Sequence, residues 1–539
     1  MPRTFVARLA VLGGMALAPS VGFAQMQHDG HAPAGTPPVP AALGEVHFPV
    51  TCAPEVQAAF DDAMKLQHSF WYQAADEAFA DVLRRDPSCA MALWGRALTR
   101  LVNPFTPPTA TNLQEGRTHL EAAKRIGAKS EREAGLIDAL LVLFASDDVA
   151  GHRARIGQYA EAMDRLQQRF PDDSEITLFT ALALIMAAPP TDKTYANQLR
   201  AGDMLARQFA AQPHHPGVAH YLIHAYDTPA LAARGVPAAE RYAGIAADAP
   251  HAQHMPSHIF TRIGRWEDSI ATNINSAEIA RAREGTFDEV HALDYLVYAY
   301  LQTGQTGAGR GVLDGNARFD AWQAPIPIAY YALAAMPARW VLERGAWEEA
   351  ADLDTRRFDV PFVDAITHFT RAVGAARAGR PDAATPDIEA LKAAAGALAG
   401  RDAYWHEQVE IQRIAAEGWV AFARGQRDRA LAALAEATER EARTEKLTVT
   451  PGPLMPAREQ YAEMLLLLDR PADAQREYEA VQRVEPRRFR AVYGAGRAAE
   501  LAGDVNGARR YYTQLLEIAA HADGPLPELE LARAFVAQH

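Results

Sequence analysis

The chain predicts an all-α fold, a solenoid of antiparallel helix pairs, on three observations. From about His47 onward it is rich in Ala, Leu, Arg and Glu, with apolar residues three and four places apart, the spacing that lines one face of a helix. No stretch alternates apolar and polar residues as a half-buried strand would. A pattern of small, aromatic and apolar residues also recurs at a fixed interval: Ala474, Tyr478 and Val481 return 34 places later as Ala508, Tyr512 and Leu515. A repeat of that length is one helix pair, and each pair buries its apolar face only against its neighbours.

Taken in order, residues 1–24 read as a secretory signal. Arg3 and Arg8 precede a short apolar run from Leu9 to Ala18, and Gly22-Phe23-Ala24 supplies small residues for cleavage before Gln25. No cysteine follows that point to take a lipid, so a periplasmic or secreted location is expected. Residues 25–46 are rich in Pro, Ala, Gly and His without an apolar period and read as a flexible linker. Met26, His28 and His31 leave a weak copper-binding tail as the alternative, with a plain linker preferred because three such residues are few. Residues 47–539 form the solenoid, with a histidine-rich central section at 214–300.

Cys52 and Cys89 are the only two cysteines. In an oxidising compartment such a pair is a disulfide candidate, the alternative being two separately buried thiols. Neither sits in a Cys-x-x-Cys spacing, which argues against a zinc ribbon or a thioredoxin-type role.

Ala75, Phe79, Val82 and Pro87 near the N-terminus repeat the spacing of Ala474, Tyr478, Val481 and Pro486. Further units are marked by a glycine suited to the interhelical turn with a small residue five places on: Gly264 with Ser269, Gly345 with Ala350, Gly425 with Ala430. Gly307 to Gly311 is expected in another such turn, and Pro381 to Gly400 reads as a looser segment. Eight to ten helix pairs are expected.

These residues resemble the tetratricopeptide repeat, a helix pair with a small residue and an aromatic in its second helix and a proline at its end. His68-Ser69-Phe70-Trp71-Tyr72, Cys89-Ala90-Met91-Ala92-Leu93-Trp94-Gly95 and His254-Met255-Pro256-Ser257-His258-Ile259-Phe260 are similar to segments of a group of secreted bacterial tetratricopeptide-repeat proteins. The resemblance covers most of the chain after the linker. It implies fold and export, with the first helix of each pair lining a concave groove for a protein, peptide or small ligand, and supplies no reaction.

A net charge of -13 and a pI near 5.8 leave no basic footprint for nucleic acid. Leu178 to Ala188 is the longest apolar run after the signal and falls short of the ~18 residues of a membrane span.

The chemistry concentrates in histidines. Pro216 is followed four and eight places later by His220 and His224, and Pro250, 34 residues on, by His254 and His258 at the same offsets, with His251 added one place in. A third stretch from Val290 has His291 where the second has His251, Asp294 where the others have His220 and His254, and Tyr298 where they have His224 and His258. Residues three or four apart share a helix face, so His220, His224 and Asp227 line up, as do His251, His254 and His258. Stacked neighbours about 8–10 Å apart would bring these groups to one wall of the groove. Imidazole and carboxylate suit zinc, copper or iron, with Asp227 and Asp294 as ligands or as acceptors for imidazole N–H groups. His68, Tyr295 and Tyr298 are further groove residues, and His406 is a weaker candidate. Pro256 leaves open whether His251 and His254 lie on the helix or in a loop before it.

Two other readings use the same residues. A metal-dependent hydrolase or oxidase would need a base, for which Asp227, Asp294 or Glu289 are at hand. The zinc-protease helix is excluded, because Tyr221 stands where its general-base glutamate belongs. A protein-interaction scaffold would need no metal.

Overall fold

The computed structural model describes residues 42–539, and within them the secondary structure is helical throughout, with no strand. The signal, most of the linker, and Met26, His28 and His31 lie outside the described residues. The last residues expected in the linker are packed: Leu43 and Val46 are buried, and Glu45 donates its backbone N–H to His214 O at 3.0 Å. Their apolar side chains decide this, since each hides surface that a free linker would leave in water.

Helices pair as the repeat predicts, in a tetratricopeptide-repeat-like stack. Phe79, on the helix Tyr72–Arg85, presses its ring onto Gly95 of the next helix so closely that a Cβ there would come within 2.5 Å of it. Tyr478 on Gly494 and Tyr512 on Gly496 repeat the contact near the C-terminus. Gly264, Gly345 and Gly425 each take a positive φ, 71°, 63° and 75°, at the turn into the following helix, which is why glycine stands there.

Twenty-six α-helices occur among the described residues, more than eight to ten pairs allow. The uncounted ones lie mainly between residues 110 and 211, where other close approaches replace the repeat's signature, such as Gly116 against Phe144 and Gly202 against Tyr226. Two local expectations are corrected. Gly307 to Gly311 sit within the helix Thr306–Asp314, the turn being taken by Gly304 at φ 71°. The segment from Pro381 to Gly400 holds a full helix, Thr385–Leu398. The run at Leu178 belongs to Ser174–Ala187, a helix buried on nearly every side. No described helix is long and apolar enough to cross a membrane.

The core divides in two. One apolar cluster runs from Leu43 to Phe260, the other from Trp266 to Ala532. The histidine helices fall where the two meet.

Cys52 and Cys89 are bonded, with Cα atoms 4.8 Å apart, inside the ~7 Å limit for a bridge. The bond ties the start of the described chain to the helix Ala90–Thr99 across 37 positions. A loop of that size stabilises by about 2–4 kcal/mol, so reduction is expected to lower the urea midpoint while leaving the helical circular dichroism unchanged. An unchanged midpoint would contradict this.

His152 makes a second stability prediction. It is 1% exposed with no hydrogen-bond partner on either ring nitrogen, and burial, aided by Arg155 and Arg153, brings its pKa down to about 4. The unfolded chain binds this proton below ~6.5 while the folded chain refuses it until about 4. Its contribution is therefore complete above 6.5 and lost as pH falls toward 4, by about 3 kcal/mol. His152→Leu should flatten the pH dependence of stability between pH 6.5 and 4, measured against the wild-type chain.

Candidate metal centre

Three of the four histidine helices open on a proline, which needs no hydrogen bond at the first helical position, and the fourth opens on Thr286. His220 and His224 lie on Pro216–Tyr226, His251 and His254 on Pro250–His254, His258 on Pro256–Arg262, and His291 on Thr286–Gln302. Pro256 does not turn His251 and His254 into loop residues. Met255 keeps helical dihedrals (φ -54°, ψ -36°) and donates to His251 O at 3.0 Å, so the three histidines stay on one helical path.

The six imidazoles sort into two trios, His220 with His224 and His251, and His254 with His258 and His291; within each, the potential ligand atoms lie within 4.8 Å of one another. His220 Nε2 stands 3.0 Å from His224 Nε2, and His254 Nε2 stands 2.9 Å from His258 Nε2.

Hydrogen bonds behind the rings fix where the protons are. His220 Nδ1 donates to His68 O at 2.7 Å, and His258 Nδ1 to Asp227 Oδ2 at 2.9 Å. His254 Nδ1 donates to Asn273 Oδ1 at 2.7 Å; the Asn273 amide is oriented by its own N–H, given to Ser269 O at 2.7 Å. A neutral imidazole with its proton on Nδ1 has a bare lone pair on Nε2. His254 and His258 therefore aim two lone pairs at each other across 2.9 Å. Burial holds all six imidazoles below their ordinary pKa, and neighbouring histidines add to this for most of them, so a bridging proton is disfavoured. A metal ion relieves the clash: bonds of ~2.0–2.1 Å at angles of roughly 90–110° put two nitrogens about 2.8–3.4 Å apart.

The carboxylates divide from the histidines. Asp227 is a supporting residue: burial alone would raise its pKa, but Lys446, Arg262 and His258 outweigh this and hold it ionised. Its Oδ1 accepts from Arg262 Nε at 2.8 Å. Asp294, expected beside His220 and His254, is taken by Arg339 Nε at 2.9 Å, and both are fully buried. Glu289 is tied to Arg281 and Arg318, each at 2.7 Å, and is no free base. Tyr298 belongs to another polar centre, its hydroxyl accepting from Arg488 Nη1 at 3.0 Å. His406 binds Ala395 O, away from the trios. Tyr295 does join the site: its ring is 4.7 Å from that of His254, and its hydroxyl donates to Thr450 O at 3.1 Å.

His68 acts through its backbone carbonyl, while its ring forms a separate buried group in which His68 Nε2 and His215 Nε2 each meet an oxygen of Glu175, at 3.0 and 2.9 Å. His68 Nδ1 pairs with the hydroxyl of Tyr221 at 2.9 Å.

The site is not an open groove. Segment 443–456 lies across it, with Lys446 on Asp227 and the carbonyls of Thr448 and Thr450 on Tyr295. Phe70 closes the other side, its ring 4.3 Å from His220, 5.7 Å from His224 and 5.6 Å from His251. Phe70 holds φ 54°, a left-handed conformation that costs a non-glycine residue and gathers at functional sites. Between these walls is a cavity of about 40 Å³, reached by His224, His251, His258, His291, Phe105 and Asp288. Asp288 is the carboxylate that spacing did not single out; burial pushes its pKa up to about 7. The adjacent Asp288-Glu289 pair in the sequence offers no sign of which residue faces inward.

Fold and site together define an all-helical repeat protein with six clustered histidines, four of which line a small cavity. Among solved structures, yeast Tom70 aligns with 89% of this chain and 88% of its own at 12% identity and a TM-score of 0.30. A monomeric mutant of IFIT1 with Gppp-AAAA aligns over 87% and 98% at 11% identity and 0.37, and the human IFIT1 dimer with m7Gppp-AAAA over 80% and 90% at 12% and 0.33. No protein-family model matches the chain, and no curated protein matches its sequence.

Proposed function

We propose that this chain is an exported helical-repeat protein that binds a first-row transition metal in its histidine chamber. The observation that carries the reading is the 2.9 Å approach of His254 Nε2 to His258 Nε2, with both rings committed through Nδ1 to acceptors that hold no proton to give. A metal-free interaction scaffold has no use for that arrangement, which costs energy without a cation. Export is supported by the cystine and by the signal-like first residues.

A metal-dependent enzyme is the second reading, and Asp288 favours it. Its carboxylate lines the chamber 3.8 Å from His251 Nδ1, where a base able to take and return protons would stand. Zinc, copper and iron all suit the imidazole donors.

Elemental analysis of protein purified without an affinity tag or chelator tests the proposal. Stoichiometric zinc, copper or iron is expected, and stripping it should lower the melting temperature, since an ion bound only by the folded state adds to its stability. Protein that is folded, metal-free and unable to take up zinc or copper would overturn the reading.

A further inference from the structure

The two trios share one cavity. His224 and His251 reach it from the first trio, His258 and His291 from the second. Ring distances across the trios, 6.0 Å for His224 to His258 and 6.1 Å for His251 to His254, are no longer than the widest within one, 6.4 Å for His224 to His251. A single ion on the first trio would leave the lone pairs of His254 and His258 facing each other at 2.9 Å, and one on the second would leave the His220–His224 pair, 3.0 Å apart, without a cation. Two ions satisfy all six, and three protein ligands leave each ion a free position.

The donor set narrows the metal. Neither trio contains a thiolate or a carboxylate, whereas paired iron or manganese sites in helical proteins are rich in carboxylates. Among the ions that suit imidazole, copper binds most tightly in the general order of affinities. Space narrows the ligand. A cavity of about 40 Å³ exceeds the ~10–15 Å³ that one water needs but excludes any larger organic molecule. Phe70, Phe105, Phe287, Ile328 and Val449 make much of its wall apolar.

We propose that the chamber holds two copper ions, one on His220, His224 and His251 and one on His254, His258 and His291, and that the reduced pair binds dioxygen between them. This rests on the metal-binding reading. In the binding step each copper(I) gives one electron, dioxygen takes both, and the product is peroxide held by two copper(II) ions. No proton moves and no further reductant is consumed.

Titration of the metal-free protein with copper(II) chloride should saturate at two ions per chain, with an electron paramagnetic resonance signal well below the bound copper, because a bridging ligand pairs the two spins. Anaerobic reduction with ascorbate, removal of the excess, and addition of dioxygen should consume one dioxygen per two coppers and produce a peroxide-to-copper charge-transfer band. His251→Ala and His291→Ala, at the two half-buried positions, should each lower the capacity from two ions to one and abolish dioxygen uptake. Both variants are to be checked by circular dichroism. One copper per wild-type chain, or none in a chain that takes up zinc, would overturn this inference and leave the metal-binding reading intact, whereas uptake of neither copper nor zinc would overturn both. Two coppers with full, independent signals and no dioxygen uptake would mean separate sites and would also overturn it.

Discussion

Arg339→Leu is expected to destabilise the fold by about 3–5 kcal/mol, the cost of leaving a buried charge without its partner. Arg339 is fully buried and spends its guanidinium on four acceptors: Asp294 Oδ1 at 2.9 Å, Thr450 Oγ1 at 2.8 Å, Gly452 O at 2.9 Å and Pro453 O at 3.0 Å. The last three lie in the segment that covers the histidine chamber. Burial already raises the Asp294 pKa despite the pull of Arg339. Without the arginine the carboxyl must take a proton or stay charged in an apolar setting, and two carbonyls lose their donors as well. Urea denaturation measures the loss, and a change below ~1 kcal/mol would show that the pair is dispensable. Asp294→Leu combined with Arg339→Leu should recover part of the stability, because it removes the stranded carboxyl.

That pair also shows why Asp294 was misplaced by sequence. Helical spacing aligns it with His220 and His254, and spacing tells which face of a helix a residue occupies, but not what occupies the space opposite. The partner that claims it is 45 positions away. The histidines were legible because their alignment needs only the helical period and the 34-residue repeat, both local properties. Phe70, Phe105, Asn273 and Lys446 were not, since each reaches the chamber through folding together of distant segments. The helix pairs could be read wherever a glycine and an aromatic pack in the repeat's own register, as Gly95 does on Phe79. Between residues 110 and 211 other residues make that contact, so the pattern failed while the fold did not.

Enclosure changes what a substitution at the site is expected to do. The sequence placed the histidines on a groove surface, where alanines would carry little structural penalty. In the folded chain His220 and His254 are at most 1% exposed, and His258, at 2%, holds one oxygen of Asp227. Truncation there opens space in a packed region, which lowers stability through lost contacts. Metal loss and fold loss must therefore be read separately.

The simultaneous replacement of His224 and His258 by alanine is expected to abolish bound metal. Each substitution takes one of three imidazoles from a different trio, and in each case it removes one member of the close nitrogen pair, at 3.0 and 2.9 Å. Two remaining imidazoles per trio cannot complete the three or four ligands that a tightly held zinc or copper needs. The apo variant also loses the facing lone pairs, which offsets part of the packing cost, so its helical circular dichroism should persist at 20 °C even as its melting temperature falls. His224→Gln with His258→Gln, which keeps more of the volume, serves where the alanine variant fails to fold. Stoichiometric metal retained by a folded double variant would place the ion elsewhere in the chain and remove the histidine chamber as its site.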